Sequence, residues 1–238
     1  MAAYTFRIPT SQSVLEDMKT VTKDIDVSAW EGETGSTRHR ILDAALDVFS
    51  REGYHATRMD DIVQRSGASK GAIYFHFPNK ETLFLGLVDQ FADLLERRVK
   101  AAIENEDAGM ERVRIAITTC LETFAKYRRP AKILLVQAAG LGKAFEDKRN
   151  ATNERFAKLI ASYLDEAIKL GEIPQCDVDV ISSAWMGAIY ALVIRWLTTN
   201  EPAPDRIVNA LVPALLMSVG YAPQAKTHDK HHGRAARK

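Results

Sequence analysis

Residues 57–77 read Thr57-Arg-Met-Asp-Asp-Ile-Val-Gln-Arg-Ser-Gly-Ala-Ser-Lys-Gly-Ala-Ile-Tyr-Phe-His-Phe77. The Thr57 hydroxyl is suited to cap a helix of about two turns that points Met59, Ile62 and Val63 inward, and Ser66-Gly67-Ala68 then turns the chain. Ser69 is placed to cap a second short helix running through His76 and ended by Phe77-Pro78. In front, Thr37–Glu52 has Ile41, Leu42, Ala45, Val48 and Phe49 on one helical face, Arg38, Arg40, Asp43, Asp47 and Arg51 on the other, and Gly53 as its stop. Behind, Asn79 can cap a long helix from Lys80 to about Glu104. Two short helices joined by a glycine-bearing turn and braced by a longer one form the outline of a helix-turn-helix reader of duplex DNA.

The side chains suit that outline. Thr57 and Ser69 bring hydroxyls and helix N-termini toward phosphates, Lys70, Tyr74, His76 and Lys80 supply donors nearby, and Gly71 lets backbone approach the duplex. From Arg38 to Lys80 there are seven Lys/Arg against five Asp/Glu, a modest local excess. With Ser69-Lys-Gly-Ala-Ile-Tyr-Phe-His-Phe77 followed by Asn79-Lys-Glu-Thr-Leu83, the segment resembles the DNA-binding domain of the TetR family over roughly Arg38 to Val88. The resemblance implies a three-helix reader, a helical domain that binds an effector and dimerises, and repression relieved by a small molecule. Carried over by motif position, it implies that Lys70 and Gly71 face base edges and that Thr57, Ser69, Tyr74, His76 and Lys80 face phosphates. Arg58 joins this expected DNA-binding set, and Ile62, Ile73 and Phe77 are expected to hold the reader's core. The family's first helix ordinarily begins within a dozen or so residues of the start; here 36 residues precede Thr37.

Working outward, no segment alternates with a two-residue period, whereas three- and four-residue apolar steps recur throughout, so the expected fold is all-α. Helices are predicted at about Met110–Arg128, Pro130–Gly142, Lys143–Leu170, Val178–Thr199 and Pro204–Val219. The resulting division is an extension at 1–36, the reader at 37–83, a ligand-binding and dimerisation domain at 84–222, and a disordered tail at 223–238. Such a bundle can enclose an apolar pocket. Its candidate lining is Phe91, Leu95, Phe124, Tyr127, Leu134, Gln137, Trp185 and Tyr190, and its expected occupant is a small hydrophobic effector, with a fatty acyl thioester suggested by similarity to acyl-responsive members of the family. Ile181, Trp185, Ala188, Leu192 and Trp196 recur at helical steps, as do Ile207, Ala210, Leu211 and Ala214; both stripes are candidates for a homodimer interface. A two-fold dimer calls for a near-palindromic operator in double-stranded DNA, with half-sites about 34–36 Å apart or a multiple of that.

Composition narrows the alternatives. The 238 residues carry a formal net charge of +1, which excludes binding to polyanions by bulk charge. Cys120 and Cys176 stand alone, so no zinc or disulfide framework is expected, and the His-bearing tail reads as disordered rather than metal-binding. No cofactor is expected. Gly140-Leu-Gly-Lys143 superficially matches a phosphate loop, but Gln137 and Ala144 stand where that motif needs Gly and Ser/Thr. With no other catalytic motif present, an enzyme is not expected. A helical adaptor without DNA affinity is the alternative, distinguished by duplex binding at low salt. The most apolar run, Ala184–Ile194, stops at Arg195 short of a membrane span, and the N-terminus lacks the basic-then-apolar order of a secretion signal, so a cytoplasmic protein without a membrane is expected. In the extension, Ser13-Val-Leu-Glu16 is a capping-box sequence, and Val14, Met18, Val21 and Ile25 predict a short amphipathic helix.

Overall fold

The computed structural model describes residues 36–106, 109–137 and 141–221; the predicted helix at Val14–Ile25, the rest of the extension to residue 35 and the tail at 223–238 lie outside them. All regular structure among the described residues is helical, as expected. The reader comprises α1 (Thr37–Glu52), α2 (Met59–Ser66) and α3 (Lys70–His76). α4 (Lys80–Ile103) leads out of it into α5 (Gly109–Lys126), α6 (Arg128–Lys132) with a π-helical turn at Ile133–Gln137, α7 (Lys143–Lys169), α8 (Val178–Thr199) and α9 (Pro204–Ser218).

Local chemistry sets the boundaries. Ser36 accepts from the His39 amide at 3.1 Å to start α1, and Gly53 ends it at φ 80°, a conformation open to glycine. Ser69 accepts from the Ala72 amide at 3.2 Å, and Asn79 and Thr82 cap α4 reciprocally. α2 starts differently from the expectation. Thr57 is buried and donates its hydroxyl to the Gly53 carbonyl at 2.7 Å, so the cap is supplied by Asp61, which accepts from the Arg58 amide at 2.8 Å. The predicted helix over 130–142 is less regular: α6 gives way to the π-helical turn at Ile133–Gln137, and Leu141 and Gly142 are not helical.

The core is continuous from reader to bundle. Ile41, Leu42, Phe49, Ile62, Ile73 and Phe77 fill the three-helix reader, and Leu83, Phe84 and Leu87 on α4 extend the same cluster into the second part of the chain. There α5 packs between α4 and α7, α8 lies along α7, and α9 packs on α5. At Gly109 the backbones of α5 and α7 come so close that a Cβ would sit 2.9 Å from the Ala167 backbone. The same end is fastened by Glu172, which accepts from the Met110 amide at 2.7 Å, and by Arg112, which pairs with Glu166 at 3.1 Å.

The apolar character of α8 extends further than the sequence reading suggested. The helix spans Val178–Thr199 as predicted, and by length and composition alone its 22 residues could cross a bilayer. Only a third of its most apolar stretch is buried, because α8 is apolar on two sides. Trp185, Ile189, Val193 and Trp196 point into the bundle, whereas Val180, Ala184, Gly187 and Ala191 lie on an open face.

Candidate DNA interface and effector cavity

Of the eight residues expected at the duplex, Arg58, Ser69, Lys70, Gly71 and Tyr74 are exposed and His76 is half-buried, and α3 together with the start of α2 presents them. Lys70 donates to Asp60 on α2 at 2.8 Å, a bond that raises the lysine's pKa, and its ammonium lies 5.9 Å from the Tyr74 ring centroid. The pair is solvent-exposed, so its worth to stability is small and the ammonium remains available to an incoming anion. Ile73 and Phe77, both in the core, fix the rotation of α3 and hence which side chains face outward.

Two residues are placed elsewhere. Thr57 is internal, as described above. The Lys80 ammonium caps the loop before α2, donating to the carbonyls of Tyr54, His55 and Thr57 at 2.7, 3.2 and 2.8 Å, and it lies 4.6 Å from the Tyr54 ring centroid. Desolvation pulls its pKa below the ordinary lysine value. A lysine before a long helix looks the same in sequence whether it meets a phosphate or three carbonyls. Lys80→Met is expected to destabilise the fold by about 1–3 kcal/mol, the cost of unmade bonds to partly buried carbonyls, while leaving the salt dependence of duplex binding unchanged. Thermal melts and binding titrations at several salt concentrations check both halves.

The bundle holds a cavity of ≈ 130 Å³ between α4, α5, the π-helical turn, α7 and α8. Of the candidate lining residues, Phe91, Leu95, Phe124, Leu134 and Tyr190 line it. Tyr127 and Trp185 do not: Tyr127 is core, and Trp185 is 3 % exposed, with its indole N–H donating to Ser218 on α9 at 3.2 Å. The Gln137 side chain lies outside what the structure describes. The long α7 supplies a whole wall that the sequence reading missed, from Phe145 through Arg149 and Asn153 to Tyr163. Its apolar positions follow a helical period, but nothing in that period separates a cavity wall from a packed core. Cys120 also lines the cavity; burial pushes its thiol up to about 12, so it serves as a neutral apolar wall.

Cavity and reader share a wall. The Phe145 ring lies 5.9 Å from that of Tyr54 and 5.0 Å from that of Phe84, and Phe49 adds a further edge contact with Phe84 at 5.4 Å. Toward the other end of α1, His39 bonds to Gln90 on α4 at 3.0 Å and pairs with Asp43 at 3.3 Å, and burial raises the Asp43 pKa.

The expected dimer stripes are divided between core and surface. Trp185, Trp196 and Ile207 are buried within their own subunit, Ile181, Ala188, Leu192 and Leu211 are half-buried, and Ala210 and Ala214 are exposed. The open faces run through Val180, Ala184, Gly187 and Ala191 on α8 and through Ala210, Ala214 and Met217 on α9. A period of 3.6 identified the apolar helices, but α8 is apolar nearly all round, so the period left its rotation undetermined.

A helix-turn-helix reader joined by one long helix to a cavity-bearing bundle defines a DNA-binding transcription regulator. Residues 41–87 match the model for bacterial regulatory proteins of the tetR family. The HTH-type transcriptional regulator LmrA of Bacillus subtilis is 35% identical over 189 residues, covering 76% of this chain and 97% of that one. The chain belongs to the TetR family. The fatty acid metabolism regulator protein of B. subtilis is 23% identical over 68% of this chain and 84% of its own length. The crystal structure of the transcriptional regulator FadR from B. subtilis in complex with stearoyl-CoA shares the fold with a TM-score of 0.66 at 22% identity, covering 77% of this chain and 98% of that one.

Proposed function

We propose that the chain is a dimeric repressor whose α1–α3 face binds a near-palindromic operator and is released when a small hydrophobic effector, specifically a fatty acyl thioester, occupies the cavity. The reader is assigned to 37–83 and the effector and dimer domain to 84–222. One observation carries the ligand-responsive part: Phe145 is at once a wall of the cavity and a ring neighbour of Tyr54 and Phe84, so a molecule that displaces it disturbs the packing beneath the reader. The apolar wall suits an acyl chain, and Arg149 and Asn153 give its α7 side polar groups for a thioester head. The names and contents of the relatives above favour the same chemistry. The open apolar faces of α8 and α9 support pairing of two copies, and a regulator of this kind acts where the DNA is, in the cytoplasm.

Effector and operator must then weaken each other by one common factor, since linkage is reciprocal. Calorimetry with stearoyl-CoA is expected to give a lower affinity in the presence of operator duplex than in its absence, and operator titrations the same factor with stearoyl-CoA added. Equal affinity with and without operator removes the acyl thioester as inducer.

A further inference from the structure

We propose that Phe75 reads the 5-methyl group of a thymine in the major groove, giving each half-site a T·A preference that the polar residues of the reader do not supply. The inference rests on α1–α3 being the duplex-binding face.

Phe75 is 83 % exposed, the most open large apolar side chain among the described residues. Among the described residues its ring has one aromatic neighbour, His76 at 5.3 Å. It cannot turn inward, because Ile73 and Phe77 already occupy the inner face of α3 at 0 % and 3 % exposure. In the free protein this ring therefore stays in water, forgoing the gain that burying a phenylalanine brings.

Helical geometry shows what lies beside it. Residues four apart share a face, and side chains lean toward the helix N-terminus, so Phe75 covers the surface above Gly71. A Cβ built on Gly71 would meet nothing within 4 Å. Glycine is therefore not required there by packing within the protein, and its bare backbone leaves a ledge one turn deep beside the ring. The neighbouring pair Lys70 and Tyr74 makes a second stripe, polar and hydrogen-bonding. α3 thus offers donors along one line and an apolar notch along the next.

Duplex DNA has a matching asymmetry. Every polar atom on the major-groove edge of a base pair wants a donor or an acceptor, which a phenylalanine ring cannot supply. The thymine 5-methyl is the apolar group on that edge, and apolar side chains are its ordinary partners. Phosphates offer the ring nothing comparable.

The test removes the methyl alone. Duplexes that bind the full-length protein are first selected from a randomised library, and each thymine is then replaced singly by uracil, which keeps every hydrogen bond. One uracil position per half-site is expected to weaken wild-type binding about fourfold, the worth of one buried methyl-sized group. Phe75→Ala is expected to bind the thymine and uracil duplexes equally, and Phe75→Leu to keep part of the discrimination. The side chain is exposed, so neither variant disturbs the core. If uracil weakens Phe75→Ala as much as wild type, or weakens neither, the inference is overturned, and a uniform loss of affinity across all duplexes assigns Phe75 to sugar and backbone packing instead. Failure to select any duplex would overturn the DNA-binding reading itself, an outcome distinct from these.

Discussion

Phe84→Ala is expected to lower the stability of the protein by about 3–5 kcal/mol, the range for truncating a buried phenylalanine. Phe84 is fully buried, and its ring meets those of Phe49, Tyr54 and Phe145 at 5.4, 5.1 and 5.0 Å. The first two belong to the reader, on α1 and in the loop that follows it, and the third to α7, so the void would open where the two parts join. A single urea transition displaced to lower concentration is the expected result, because the core runs without a break from Ile41 to the bundle. A loss below about 1 kcal/mol would mean that the cluster relaxes around the gap and carries little of the fold.

Arginine at both Ala191 and Ala214 is expected to convert the proposed dimer to monomer across the concentration range of a sedimentation experiment, with helix content retained. Both alanines are exposed and lie on the open faces of α8 and α9. In a two-fold interface each substitution appears twice, so like charges are brought together in a surface that would otherwise be apolar. Trp185→Glu is expected to behave differently. That indole is inside its own subunit and bonded to Ser218, so a buried charge there unfolds the chain rather than separating two folded ones. A double arginine variant that remains dimeric would move the interface to another surface.

These contrasts show what the amino-acid order makes legible. The reader could be found from its punctuation: Gly53, Ser69, Pro78 and Asn79 each stop or start a helix by a local mechanism that needs no knowledge of the rest of the molecule. Helix existence beyond residue 109 followed from periodicity for the same reason. What failed to show depends on contacts distant in sequence. Thr57 and Lys80 carry the chemistry of phosphate ligands, yet one donates to Gly53 and the other to three loop carbonyls, and only the folded loop distinguishes the uses. Trp185 and Tyr127 were plausible cavity walls because an aromatic on an inward face looks alike whether it meets a neighbour or a void. The exposure of Phe75 depends on its neighbours in the same way: it faces outward because Ile73 and Phe77 take the inside.

The close approach at Gly109 bears on how the cavity can change size. The wall residue Val113 lies one helical turn from Gly109, where α5 and α7 touch backbone to backbone and where Glu172 and Arg112 fasten the helix ends. That end acts as a floor, since lengthening the cavity there would part helices that Glu172 and Arg112 hold together. A guest longer than the empty space must therefore find its extra length at the opposite end, by shifting the π-helical turn and the start of α7 that carry Leu134 and Phe145. If an acyl chain occupies the cavity, as proposed, the cavity would work as a ruler with its zero mark clamped, its graduated end lying nearest the DNA reader.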